Sequence, residues 1–323
     1  MLMQHGRLIA SLFALSVKVL IVLFGRLPGD TLLWRELQNT AHVPLFGFVA
    51  LATLGLVRAL VPVCRDSPFI GYLVAAVASL AVGLLTEYGQ LFTGREPSIS
   101  DVARDLAGII TGLGIYAAID SRMQPVWRRQ GRGLRALTVT LCCLVFAFSL
   151  FPLARLATSY LQRNAAFPVI VDFRESWSRV FVECRSAVLT RLSAGEQPTP
   201  VTNRETTRLD LTPGRYPGVS VIEPYPDWRS FAYLTFVIYS LQRQPLGLVL
   251  RIHDASHDQA HSDRFNRRLE IRPGENRFRI ALAEVENAPV GRHMDMSRIA
   301  GIALFSEDLS ASASLYLDTL RLE

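Results

Sequence analysis

Apolar positions run in long unbroken stretches through the first half of this chain and alternate with polar ones through the second. Leu8 to Phe24 is apolar apart from Ser11, Ser16 and Lys18, and lies between Arg7 and Arg26. The following Leu-Phe-Gly-Arg-Leu-Pro offers no small-residue cleavage site, so the run is expected to be a retained span with Lys18 facing the bundle. Ala41 to Val57 is a second run, opened by His42. Phe69 to Thr86 is a third, passing into Glu87 and ending near Phe92. A fourth starts at Ser98 or Asp101 and reaches Ile119, and Ala136 to Leu153 is a fifth. Each is near the roughly 20 residues that cross about 30 Å of hydrocarbon as helix, which predicts about five transmembrane spans.

From about Pro168 the period shortens to two. Val180–Glu183, Thr207–Leu211, Val219–Ile222, Phe231–Tyr239, Leu246–Ile252, Arg267–Ile271, Arg277–Ala281, Ile299–Phe305 and Leu315–Leu322 are expected as strands, punctuated by Pro213-Gly214, Pro217-Gly218 and Pro273-Gly274. The pattern predicts an all-α transmembrane helix bundle followed by an all-β jelly-roll sandwich. The expected divisions are a helical domain at 1–125, a basic loop and fifth span at 126–160, and the sandwich at 165–323.

The net charge of +6 does not point to nucleic acid, because no Lys/Arg stripe with interleaved aromatics is present. Part of the excess sits in one loop with Arg122, Arg128, Arg129, Arg132 and Arg135, which the positive-inside bias places in the cytoplasm. Counting spans from there puts the N-terminus inside and everything after Leu153 outside, as in a multi-pass protein of the bacterial inner membrane. Of the four cysteines only Cys184 falls in the strand-rich half, so no disulfide framework can hold it.

Several ionisable groups interrupt the apolar half, where they are costly and tend to mark function. His42 opens one span, Glu87 and Gln90 close the next, Arg95 lies in the following loop, and Asp101, Arg104 and Asp105 start the span after it. The topology brings these to one depth near the outer face. Asp101, Asp105, Gly108 and Gly112 follow at four- and three-residue steps on one helix side, and the glycine pair would admit a neighbouring helix closely. Three readings fit: a buried network that fixes packing, a site for a lipid or lipid-linked glycan headgroup, or a metal site. Under the second, Glu87, Asp101 and His42 are the catalytic candidates, with Gln90, Arg95, Arg104 and Asp105 binding the ligand.

The series of His42, Glu87-x-x-Gln90, Arg95, Asp101 and Gly108 resembles the VanZ-like membrane protein family over roughly residues 8–120. Members usually carry Asn where this chain has Asp105, and Lys three residues before the His, where it has Asn39. The family is linked by name to glycopeptide resistance and to the cell envelope; the resemblance implies no particular reaction.

In the second half, Leu246–Asp254, Asp263–Asn276 and Ala288–Met296 form a strand pattern with charged strand ends. It resembles the galactose-binding-like jelly rolls found among carbohydrate-binding modules, over about residues 170–323. By that analogy Val171–Phe173 and Leu317–Thr319 are the first and last strands, side by side. Such domains often hold one structural calcium ion, for which Asp172, Glu223 and Asp318 offer hard oxygen ligands. Arg251, His253, Asp254, Asp263, Arg264 and Trp228 are the sugar-binding candidates. The run of His253, Asp254, His257, Asp258, His261 and Asp263 is either a solvated loop or a ligand-reading one. Trp177, Tyr225, Tyr233 and Tyr239, like Trp228, either stack on sugars or fill a core. The whole chain is expected to be an envelope membrane protein whose partners are the bilayer and an envelope or lipid-linked glycan, either as an enzyme or as a non-catalytic anchored scaffold.

Overall fold

The computed structural model describes residues 29–93, 98–192 and 207–323, and the chain divides into two compact units, Met1–Leu156 and Ala157–Glu323. The expected first span, with Lys18, lies outside the described residues.

The first unit is helical. Its helices are α1 (Leu32–Leu60), α2 (Pro68–Gln90) and α3 (Ile99–Ile119), and α4 (Arg132–Ala166) leads out of it into the second unit. All four are long and apolar enough to cross a membrane. Helix α1 begins nine residues before the apolar run that announced it, at Thr31, whose hydroxyl caps the Trp34 N–H. Phe46, Val49, Ala50, Leu54, Ala75, Ile109 and Leu113 form the packed centre of α1, α2 and α3.

Glycines set the distance between α1 and α3. A Cβ on Gly108 would lie 2.2 Å from the Val43 carbonyl oxygen, and one on Gly112 would lie 2.7 Å from the Gly47 Cα. The two backbones therefore touch, as the spacing of Gly108 and Gly112 predicts.

The second unit is a β-sandwich. Its strands are β1 (Val169–Asp172), β2 (Val182–Arg185), β3 (Ala187–Arg191), β4 (Thr207–Leu211), β5 (Gly218–Ile222), β6 (Tyr233–Ser240), β7 (Leu246–Asp254), β8 (Phe265–Ile271), β9 (Gly274–Ala281), β10 (Ile299–Phe305), β11 (Ala313–Leu317) and β12 (Thr319–Leu322). In the larger sheet β6 pairs along its whole length with β9 on one edge, and with β11 and then β12 on the other. Strand β11 continues to β4 and β3, while β12 continues to β1, with Asp172 opposite Thr319. The first and last strands thus lie side by side as expected. Leu315–Leu322, expected as one strand, is divided at Asp318, where the neighbour on that side changes from β4 to β1.

The smaller sheet has the order β2-β5-β10-β7-β8, all antiparallel. Alternation decides its two faces. Val219, Val221, Leu248, Leu250, Ile252, Ile302 and Leu304 point into the core shared with Leu209, Ile238, Leu315 and Leu317 of the larger sheet. The alternate positions Gly218, Ser220, Arg251, Ala303 and Phe305 face away from it.

Candidate functional site

In the helical unit the ionisable residues gather where α1 begins, α2 ends and α3 begins. His42 Nδ1 and Asp105 Oδ1 are 2.8 Å apart and both side chains are buried. Asp105 Oδ2 is buried, has no hydrogen-bond partner among the described residues, and faces Gly83 of α2, where a Cβ would lie 2.9 Å from it. The Glu87 carboxylate accepts hydrogen bonds from the Gln90 amide at 3.3 Å and from the Ser98 N–H at 2.9 Å. Arg104 pairs with Asp101 at 2.5 Å and reaches Glu36 at 3.9 Å. Glu87 and Asp101 are close enough for their charges to act on both His42 and Asp105. Of the residues expected here, Arg95 lies outside the described residues; His42, Glu87, Gln90, Asp101, Arg104 and Asp105 are brought to one end of the bundle. At the other end Asp120 accepts hydrogen bonds from Arg58 at 2.7 Å and from Tyr72 at 3.0 Å.

In the sandwich, the loop after β7 is organised by Arg292. Its guanidinium grips both Asp254 oxygens at 2.6 and 2.9 Å and donates from Nε to Asp263 at 2.5 Å. Asp254 is buried and also accepts from the Asp295 N–H. Burial pushes its carboxyl upward, yet the hydrogen bonds from Arg292 and Asp295 hold it below the usual carboxylate range. Hydrogen bonds from Arg292 and from the Asp258 N–H likewise keep Asp263 well below it. His257, Asp258 and Asp263 lie within metal-ligand reach of one another, but Asp263 is already committed to Arg292. Asp254 and Asp263 therefore brace the loop.

Of the calcium ligands expected from resemblance, Asp172 and Asp318 meet at an arginine and Glu223 is not with them. Arg174 holds Asp172 through Nε at 2.8 Å and Nη2 at 2.6 Å, and lies 3.7 Å from Asp318, so a guanidinium stands where the cation would. Glu223 is engaged elsewhere, its carboxylate by the Tyr160 hydroxyl and its carbonyl by Arg163 at 2.7 Å. Trp228 is fully buried in the core with its Nε1–H donated to the Tyr225 carbonyl at 2.7 Å. It has no face open to a sugar, and the buried Trp177 is likewise a core residue.

The solvent face of the smaller sheet carries an open groove of about 350 Å³, within the usual size of small-ligand sites. Small residues on adjacent central strands, Gly218 and Ser220 of β5 and Ala303 of β10, make its floor. A Cβ on Gly218 would collide with the Leu304 carbonyl and the Phe305 side chain, so only glycine fits. At one end Tyr216 and Phe305 meet edge to face at 5.7 Å, with Arg185 6.0 Å from the Tyr216 ring. At the other stand Arg251, Asn266, Arg264 and His261. Asn266 lies directly opposite Arg251 in the ladder and accepts from Arg264 Nε at 3.1 Å. His253 occupies the next outward position of β7, its ring lying over Gly301. Burial, and then the charges of Arg251, His257 and Arg264, push its imidazole down to about 4.

Of the expected sugar-binding residues, Arg251 and Arg264 line this groove and His253 borders it. Sequence reasoning passed over Arg185, Tyr216, Ser220, Asn266, Phe305 and Glu307. The signal available was the pair of outward small-residue patterns, Gly218-x-Ser220 and Gly301-x-Ala303, on strands that prove to be neighbours.

No family model matches the chain, and no curated protein matches it. Solved structures similar to its second half include a family 11 carbohydrate-binding module from Clostridium thermocellum in complex with a β-1,3-1,4-mixed-linked tetrasaccharide. That match has 12% identity over 48% of this chain and 93% of that one, with a TM-score of 0.38. An exo-β-agarase matches at 16% identity over 48% of this chain and 25% of its own length, with a TM-score of 0.37. A family 30 carbohydrate-binding module of a cellulosomal cellulase of Clostridium thermocellum matches at 14% over 44% of this chain and 91% of that one, with a TM-score of 0.30. What those proteins bind is a property of those proteins.

Proposed function

We propose that this is a multi-pass protein of the bacterial inner membrane whose extracytoplasmic sandwich binds an envelope glycan in the groove of its smaller sheet. The observation that supports the glycan reading is the groove itself. Its open floor of Gly218, Ser220 and Ala303 leaves room for a chain of rings to lie across the strands. The aromatic pair Tyr216 and Phe305 offers an apolar face at one end, and arginine and amide side chains offer hydrogen bonds at the other. The apolar helices α1 to α4 supply the anchor, and the arginines at 122–135 favour a cytoplasmic side for that loop.

The test is binding by the full chain in detergent to an array of immobilised glycans. Retention is expected on some members, and Tyr216→Ala should weaken it roughly two- to tenfold. An array without any retained signal refutes the reading.

A second reading, in which the helical unit holds a lipid or lipid-linked headgroup, is favoured by the unpartnered buried oxygen of Asp105 and by the resemblance to VanZ-like proteins. In it Glu87 or Asp101 serves as acid or base. Glu87→Gln keeps the shape and most hydrogen bonds while removing the charge. Loss of an envelope phenotype with unchanged melting is the expected result, and normal complementation of a deletion strain by Glu87→Gln removes the reading.

A further inference from the structure

Several arginines of the sandwich have a carboxylate at hand. Arg174, Arg208, Arg229, Arg268, Arg272 and Arg292 each lie within 3.5 Å of an Asp or Glu oxygen. The groove differs. Among the described residues no carboxylate lies within 4.0 Å of Arg185, Arg251 or Arg264, and the one acidic lining residue, Glu307, is paired outside the groove with Arg268 at 2.8 Å. Arg251 Nε is also buried without a hydrogen-bond partner. Removing a guanidinium nitrogen from water with no acceptor is costly unless a ligand supplies one.

Arg251 stands on β7 and Arg264 immediately before β8, the strand that pairs with it. After burial, the charge of Arg264 is the next cause lowering the affinity of Arg251 for its proton. Such like-charge placement is destabilising in an empty site and becomes favourable once an anion sits between the two. Planar guanidiniums also match the two-oxygen geometry of carboxylate, sulfate and phosphate groups.

We infer that the groove receives an acidic glycan, its carboxylate, sulfate or phosphate group held by Arg251 and Arg264 while a neighbouring ring lies towards Tyr216 and Phe305. This rests on the glycan reading above and adds to it the charge class of the ligand. Asn266, opposite Arg251 in the ladder, accepts from Arg264 Nε and so holds that guanidinium at the strand next to Arg251.

The experiment uses the full chain in detergent on an array carrying neutral glycans and uronate, sulfated and phosphorylated ones. For every member that retains the protein, the same backbone is presented with its charge removed by esterification, desulfation or dephosphorylation. Retention is expected on acidic members, to weaken about tenfold when the charge is removed, and to fall as salt rises from 50 to about 500 mM, where screening is stronger. Arg251→Gln and Arg264→Gln should each bring acidic members close to the level of their neutral counterparts, and Arg251→Lys should recover part of the difference. Equal retention of charged and neutralised forms overturns the inference and leaves the glycan reading standing. No retention on any member overturns both. Inorganic sulfate or phosphate binding as tightly as the best oligosaccharide overturns the glycan part by showing a plain anion site. Melting of each variant alongside separates loss of binding from loss of fold.

Discussion

The polar end of the helical bundle and the groove of the sandwich are both rich in ionisable side chains, and they treat them in opposite ways. In the bundle several charges between the helices meet another: His42 meets Asp105, Arg104 meets Asp101 and Glu36, and Arg58 meets Asp120. In the groove Arg185, Arg251 and Arg264 meet no carboxylate among the described residues. Paired charges in a low-dielectric bundle are explained by the packing they hold in register, whereas the buried, unpartnered Nε of Arg251 raises the energy of the free protein unless something binds. In the bundle Asp105 Oδ2, buried and without a hydrogen-bond partner among the described residues, is for the same reason an atom that points to a ligand.

The largest expected effect comes from breaking a pair. Arg292→Ala leaves the buried Asp254 without its cation, and scanning calorimetry should show the sandwich melting roughly 10 °C lower. A loss no greater than that of Arg251→Ala would erase the distinction between the two kinds of arginine. Next comes the helix contact: Gly108→Leu forces a side chain against the Val43 carbonyl and should cost about 1–3 kcal/mol or more of bundle stability, read as earlier melting in detergent. The His42–Asp105 pair is expected to couple by about 1 kcal/mol in a double-mutant cycle with His42→Gln and Asp105→Asn. Additive losses would mean that the contact does not hold the helices.

Acid distinguishes the groove from its bracing loop. An unfolded chain protonates the His253 imidazole near 6.5, the folded one only near 4. Between those values the unfolded state binds the extra proton, so the His253 contribution is complete above about pH 6.5 and lost as pH falls towards 4. Asp254 and Asp263 have depressed values in the fold, so their contribution is complete above the ordinary carboxylate range and disappears only below it. His253→Gln should flatten the first limb of the stability curve and leave the second; an unchanged first limb would mean that another group carries it. The smallest effect is Arg251→Gln, expected to change folding stability by no more than about 0.5 kcal/mol while weakening acidic-glycan binding.

How much of this was legible varied with the physics. Thr207–Leu211, which alternates cleanly, and Ile299–Phe305 were found at their true ends, because one face of each is core. Ala187–Arg191 was missed: its exposed and half-buried positions bury too little of either face to leave a pattern. The start of α1 was hidden because Arg35, Glu36, Gln38 and Asn39 belong to no apolar run, although Thr31 offered a cap. The convergence of His42, Glu87, Asp101 and Asp105 followed from span order alone. The partner of Asp172 and Asp318 was hidden because carboxylates are visible in a sequence while the guanidinium that meets them, Arg174, depends on strand pairing. The groove was illegible for the converse reason: its floor consists of what is absent, side chains on Gly218, Ser220 and Ala303, and absence on one strand means little until the neighbouring strand is known.

The pairing of β1 with β12 has a consequence in time. The Pro168 carbonyl and Asp172 wait for Leu322 and Thr319, and the Tyr233 N–H waits for the Glu323 carbonyl. About 150 residues must therefore emerge after β1 before its partner exists, and until then its hydrogen-bonding edge is bare. Long-range closure of this kind slows folding and prolongs exposure to aggregation. Maturation of the sandwich should thus be a late, all-at-once event that follows delivery of its last strand, leaving the earlier strands dependent on protection while they wait.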